Sequence, residues 1–180
     1  MVPFLFILVF GIWEVGRLVH VNEYVNNAAR EGARLAATGN FSGSSVLGSS
    51  TATTTTYDVQ VAVGNYLQNC GLTIPSTGVK ITVTNETQSL SMMAVASMSG
   101  TTQVVVTGSG ASPSADPILN ANQYDILRID VEYPFSFAQW SPNNLYFYTG
   151  ANTIVTSSTR WSCLRDKAVA VDSTIPSAPL

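Results

Sequence analysis

An unbroken apolar run of 13 residues opens the chain, MVPFLFILVFGIW from Met1 to Trp13. Apolar positions continue at Val15, Leu18, Val19 and Val21, now interrupted by Glu14, Arg17 and His20. Pro3 falls in a first turn, where its missing N–H is tolerated. The next strong stop is Thr38-Gly39-Asn40. The pattern predicts one long helix over about 3–38. Its first 13 residues would span roughly 20 Å as helix, short of the ~30 Å hydrocarbon core of a membrane.

The remainder reads differently. Ten of the sixteen residues from Phe41 to Thr56 are Ser or Thr, which marks a linker or loop. From Tyr57 to Cys70 the apolar residues Val59, Ala62 or Val63, Tyr66 and Leu67 fall at helical spacing, and Gly71 follows as a stop. Val79 to Thr84 alternates as a half-buried strand. Leu90 to Met98 alternates on Leu90, Met92, Ala94, Ala96 and Met98, which favours a strand, with a helix as the competing assignment. Gln103 to Thr107 is a third strand, and Gly108 to Pro117 a Gly/Ser/Pro loop. Leu127, Ile129, Val131 and Tyr133 oppose Arg128, Asp130 and Glu132, the clearest alternation in the chain. A last strand covers Asn152 to Trp161. One or two helices with several antiparallel-type strands make an α+β class, helices packed on a mostly antiparallel sheet. The expected organisation is an N-terminal helix at 1–39, a linker at 40–56 and an α+β head at 57–180.

Charge sharpens this division. Glu14, Arg17, Glu23, Arg30, Glu31 and Arg34 lie in one short stretch, whereas Leu35 to Val79 holds only Asp58 and Thr87 to Tyr124 only Asp116. Charged residues are 11% of the chain, against about 25% in ordinary soluble domains. Ser and Thr number 39, so the exposed surface is rich in hydroxyl groups or covered by neighbours. A net charge of −3 argues against a nucleic-acid partner, which needs a basic stripe for phosphates.

The N-terminal segment admits four readings. A secretory signal peptide needs a basic start and a cleavage site, and no Lys or Arg precedes Arg17. A buried core helix is not usually apolar on all sides for three turns. A plain membrane anchor should be apolar where Glu14 and Arg17 stand. The fourth reading is a helix that lives first in a membrane and then in a packed helical core. Its assembly core would be Phe4, Leu5, Phe6, Ile7, Leu8, Val9, Phe10 and Ile12, with Glu14 and Arg17 on one face. Glu14 is then expected to pair with Arg17 of the same or a neighbouring chain, or with a neighbour's terminal amine, as a register device. A salt bridge that only marks the membrane boundary is the competing role. Further along, Ala28, Gly32 and Ala36 are spaced by four, as are Ala29, Ala33 and Ala37. Such rows let backbones approach closely, on the chain's own sheet or on another copy.

The run FGIWEVGRLVHVNEYVNNAAREGARLAATG resembles the N-terminal signature of TadE-like pilus proteins of the tight-adherence system. The resemblance is carried by Pro3, Phe10-Gly11, Glu14, Gly16-Arg17 and the block Ala29-Arg30-Glu31-Gly32-Ala33-Arg34. It covers residues 1–40; beyond them only the element pattern agrees, including Tyr133-Pro134-Phe135 and Ser158-Thr159-Arg160-Trp161. The resemblance implies a pilin-like subunit, inserted in the bacterial inner membrane by its first helix. Its implied partners are the pilus assembly machinery and copies of itself in an extracellular, cell-surface filament. A membrane-anchored minor pseudopilin or an adhesin-type binding module that does not polymerise is the alternative. The family's processing residues lie upstream of the matching positions, so none is carried over.

Cys70 and Cys163 are the only cysteines. In a secreted chain such a pair favours a disulfide, here closing a loop of about 90 residues worth about 4 kcal/mol in the chain-entropy picture. Two buried thiols are the alternative. No catalytic constellation, phosphate loop or zinc cluster appears. His20 sits in the apolar helix, and Asp125, Asp130 and Glu132 read as a solvated strand face. No enzymatic activity, cofactor or metal is expected. Asn40-Phe41-Ser42 and Asn85-Glu86-Thr87 match the N-glycosylation pattern.

Overall fold

A computed structural model describes residues 2–38, 56–75, 77–99, 103–108, 116–138 and 153–164. Helix α1 (Val2–Thr38) leads, followed by α2 (Thr56–Asn69). Five strands come next: β1 (Val79–Asn85), β2 (Leu90–Ser99), β3 (Gln103–Gly108), β4 (Ile126–Pro134) and β5 (Ile154–Ser162). They form one sheet in the order β3-β2-β1-β4-β5, and every neighbouring pair is antiparallel. The architecture is α+β, as the sequence predicts, and Leu90–Ser99 is a strand. Of the expected linker, residues 40–56, Thr56 instead opens α2, and the rest, like the end of the head beyond Leu164, lies outside the described residues.

Alternation builds the core. Val79, Ile81, Val83 and Asn85 of β1 and Leu127, Ile129, Val131 and Tyr133 of β4 point to one side and are buried. Their partners on that side include Ala94 and Ala96 of β2 and Val155 of β5. Both helices cover this face: α2 packs on β1, β2 and β3, and α1 packs on β4, β5 and α2. The helical stripe Val59, Val63 and Leu67 supplies the α2 contact. A single large-to-small substitution in this layer removes transfer free energy and leaves a cavity.

Gly71 ends α2 for a definite reason. Its φ is +82°, and the amides of Leu72 and Gly71 donate to the Leu67 and Gln68 carbonyls at 3.1 and 2.9 Å. This is the double hydrogen bond of a left-handed helix stop, a conformation glycine adopts without steric cost. At the other end of α2, the buried Asp116 carboxylate accepts from Thr56 N–H at 3.0 Å and from its hydroxyl at 2.5 Å. The same carboxylate accepts from the Ile118 and Leu119 amides at 2.8 and 2.9 Å. It caps the helix and fixes the approach to β4 at once.

The expected disulfide is not formed: Cys70 and Cys163 are both free thiols. The sheet explains why. Cys163 is hydrogen-bonded through its own N–H to Asp125 O at 2.8 Å, beside the start of β4. The chain leaving Cys70 is tied to the other end, where the Tyr133 hydroxyl donates to Thr73 O at 2.8 Å. Asp125 and Tyr133 are eight strand residues apart, about 26 Å along β4. A bridge needs Cα atoms within about 7 Å.

Candidate membrane and assembly site

Helix α1 has 37 residues, hence a length of about 55 Å. Only its second half lies on the head. Val21, Val25, Ala28, Ala29, Gly32, Ala33, Ala36 and Ala37 are buried, and Leu18, Tyr24 and Leu35 pack at the margin. The small residues are there because the backbone comes close. A Cβ added at Gly32 would stand 2.5 Å from Val63 Cγ2 and 3.3 Å from Ile129 Cδ1, so α1, α2 and β4 meet at this point. The row Ala28, Ala29, Gly32, Ala33 and Ala36 is thus used inside the chain, on its own sheet and second helix. Arg30 and Arg34 face solvent, and Arg34 Nε donates to Glu31 Oε2 at 2.9 Å.

The first half of α1 touches almost nothing. Phe4, Leu5, Phe6, Ile7, Leu8, Val9, Phe10, Ile12, Trp13 and Val15 are between 46% and 66% exposed. Ten large apolar side chains on one helix, uncovered, are a surface that water does not stabilise. Phe4–Thr38 is long and apolar enough to cross a membrane by length and composition. The predicted assembly-core residues therefore lie together on one protruding rod of helix.

Glu14 and Arg17 stand where the rod meets the head. The expected pair within the chain is absent: no ion pair joins them, and Glu14 Oε1 and Arg17 Nε are shielded atoms without a hydrogen-bond partner. An i,i+3 spacing permits a pair but does not enforce one. The Arg17 charge instead acts on the Tyr133 hydroxyl, which burial pushes up to about 12 against the pull of that cation. A shielded carboxylate oxygen without a donor costs free energy until one arrives. His20, one turn further, lies 3.7 Å from Glu23 and stacks on Tyr24 with ring centroids 6.4 Å apart.

The remaining polar groups are structural. Asp125, expected on a solvated strand face, is instead buried just before β4; burial favours its neutral form, but hydrogen bonds from the Asn122 amide, Asn85 and Gln88 outweigh this and hold its carboxyl below the ordinary carboxylate range. Asn85 is fully buried and donates to Asp125 Oδ2 at 3.1 Å, so this glycosylation pattern is a core asparagine. Asn40, the other match, lies outside the described residues. On the outer sheet face Lys80 pairs with Glu132 at 2.8 Å, Arg128 with Glu86 and Asp130, and Arg160 with Glu86. Asp130 and Glu132 are thus the half-exposed ionic face the alternation predicts. No group of three metal-ligating side chains occurs among the described residues.

A head carried on a helix whose outer half is uncovered and apolar is the arrangement of a membrane-anchored, helix-tethered protein. Residues 1–34 match the TadE-like protein family. The match covers the free half of α1 and most of the docked half, and stops before α2 and the sheet. No curated protein and no solved structure matches the chain. The similarity to the TadE-like family is thus confined to the helix that is long and apolar enough to cross a membrane.

Proposed function

We propose that the chain is a structural, pilin-like subunit of a tight-adherence-type extracellular filament. The observation that carries this reading is the uncovered row from Phe4 to Ile12. Before assembly, lipid covers it; after assembly, the same helices of neighbouring copies do. Each large apolar side chain fully buried in that exchange contributes about 1.5–3 kcal/mol. A head-to-tail contact that does not close gives an open helical array. Glu14 supports the same reading, since its shielded oxygen lacks a donor within its own chain. A neighbour's terminal amine or Arg17 supplies one only in the correct axial register. The partners are then copies of the chain and the inner-membrane assembly machinery, and the final location is the cell surface.

Electron microscopy of shed surface material, with labelling for this chain, tests the reading. Fibres composed of it support a filament subunit. A chain that stays in the membrane fraction while fibres form without it replaces this reading by the non-polymerising anchored module.

A further inference from the structure

Among the described residues, the sheet has two open edges: β3 pairs only with β2, and β5 only with β4. The Phe135 amide donates to Thr153 O and the Cys163 amide to Asp125 O, both at 2.8 Å. The odd-numbered positions of β5 therefore face β4. Alternation turns the backbone N–H and C=O groups of Ile154, Thr156, Ser158, Arg160 and Ser162 toward the open side. Lone domains blunt such an edge with Lys, Pro or inward-pointing charge. β3 (QVVVTG) and β5 (IVTSSTRWS) contain no Pro, Lys, Asp or Glu. Their single charge, Arg160, is held by Glu86 at 3.0 Å. Trp161 shows that the layer above this edge is incomplete. It lies opposite the fully buried Leu127, on the side the helices cover, yet is 41% exposed.

Strand direction says what completes it. Every neighbouring pair in β3-β2-β1-β4-β5 is antiparallel, so the two edge strands β3 and β5 run the same way. α1 runs with them: Asn26 accepts from the Ser157 hydroxyl at 2.6 Å and, further along both elements, Ala37 O accepts from Leu164 N–H at 2.9 Å. Pairing β5 with β5 of another copy, helices on one side, needs a two-fold axis normal to the sheet. That sets the two α1 helices antiparallel. Helices inserted in one membrane in one orientation point the same way. β5 beside β3 of a second copy, as a parallel pair, keeps this common direction and keeps all helices on one face. The spacing fits too. Five strands span about 24 Å, and two helices side by side cover about 20–24 Å. With α1 over β4 and β5 and α2 over β1, β2 and β3, sheet and helix layer repeat together.

We propose that heads join through β5 of one copy and β3 of the next, paired in parallel so that one sheet runs on from chain to chain. The contact is heterologous: each copy offers a different edge at either side, so it repeats without pairing off into dimers. The incoming α2 lies over its own β3 and settles beside α1, over Trp161. This deepens the assembly reading and rests on its common helix direction; it supplies the joint between heads that the free half of α1 leaves unspecified.

The test uses the full chain in producing cells, with a benzophenone amino acid placed by nonsense suppression at position 158, on the open edge. Membranes and shed fibres are irradiated separately, and mixed isotope labelling separates links between copies from links within one. Adducts between position 158 and residues 103–108 of a second copy are the expected result. Adducts with β5 of another copy, or with residues 139–152 or 165–180 of any copy, overturn the joint, as does the absence of adducts between copies in both fractions. The expected adduct in membranes, with no fibres containing the chain, keeps the joint and removes the filament reading; fibres of this chain without the adduct do the reverse. Thr156→Pro, with the probe kept at 158, removes one outward N–H and spares the bonds to β4. We expect loss of the adduct at an unchanged melting temperature, and retention of it in Thr156→Ser. An undiminished adduct in Thr156→Pro also overturns the joint. If the proline variant does not fold, the adduct pattern of the unsubstituted chain decides.

Discussion

One uninterrupted helix behaves as two different objects. From Glu14 to Thr38 it meets or belongs to a folded head; from Phe4 to Trp13 it stands free of it. The usual distribution of size is reversed between the halves. The buried half is built from Ala and Gly with two valines, and the exposed half from Phe, Leu, Ile, Val and Trp. The reason is geometric. Against a sheet and a second helix, small side chains allow the closest approach of backbone, and the large residues come from the partner strands. In lipid or among other helices, a lone rod has only its own side chains to bury, so bulk is favourable there. Burial in a single molecule thus reports on one half only: the core of the head is in the docked half, and the proposed assembly core is in the free one.

Removing residues 1–13 gives the largest contrast. The remaining chain keeps every buried contact of α1, so we expect a cooperatively folding head that no longer floats with liposomes or enters fibres. Flotation and thermal melting check both parts, and a truncated chain that fails to fold would erase the division. Gly32→Leu tests the docked half alone. With Val63 and Ile129 already against that position, the added side chain is expected to cost about 3 kcal/mol or more, read as a lower urea midpoint.

A matched pair sharpens the comparison. Val25→Ala deletes buried methyls and should cost about 2 kcal/mol of head stability. Val9→Ala should change head stability by no more than about 0.5 kcal/mol and act only on assembly. Equal effects of the two on the melting curve would mean that the halves are not distinct. Glu14→Ala is expected to leave the head folded and lower fibre yield, because only the waiting polar partner is lost. Normal yield would contradict the register role. The smallest expected effect is that of reductant. With both thiols free, it should leave the melting temperature unchanged, where a bridge would have contributed about 4 kcal/mol; mass spectrometry of thiols after alkylation checks it directly.

The site was legible to an uneven degree. Apolar content without interruption marked Phe4 to Ile12, because no soluble head needs such a run. The four-residue spacing of small side chains marked the docked half, but not what it docks on; a stripe of Ala and Gly serves an intramolecular sheet as well as a neighbouring helix. Glu14 and Arg17 were found by their charge in an apolar context, whereas their failure to pair within the chain was not encoded in their spacing.

Local pattern alone determined the elements: the long helix, the glycine stop after α2 and the alternation of β1 and β4, each a consequence of backbone periodicity within a few residues. Tertiary structure decided the rest. The strand order β3-β2-β1-β4-β5 sent the two cysteines to opposite ends of β4, joined Asp116 to Thr56 across 60 residues of chain, and set the point along α1 where burial gives way to exposure. These are contacts between distant segments, whose closeness depends on how the sheet closes and not on any residue's neighbours in sequence.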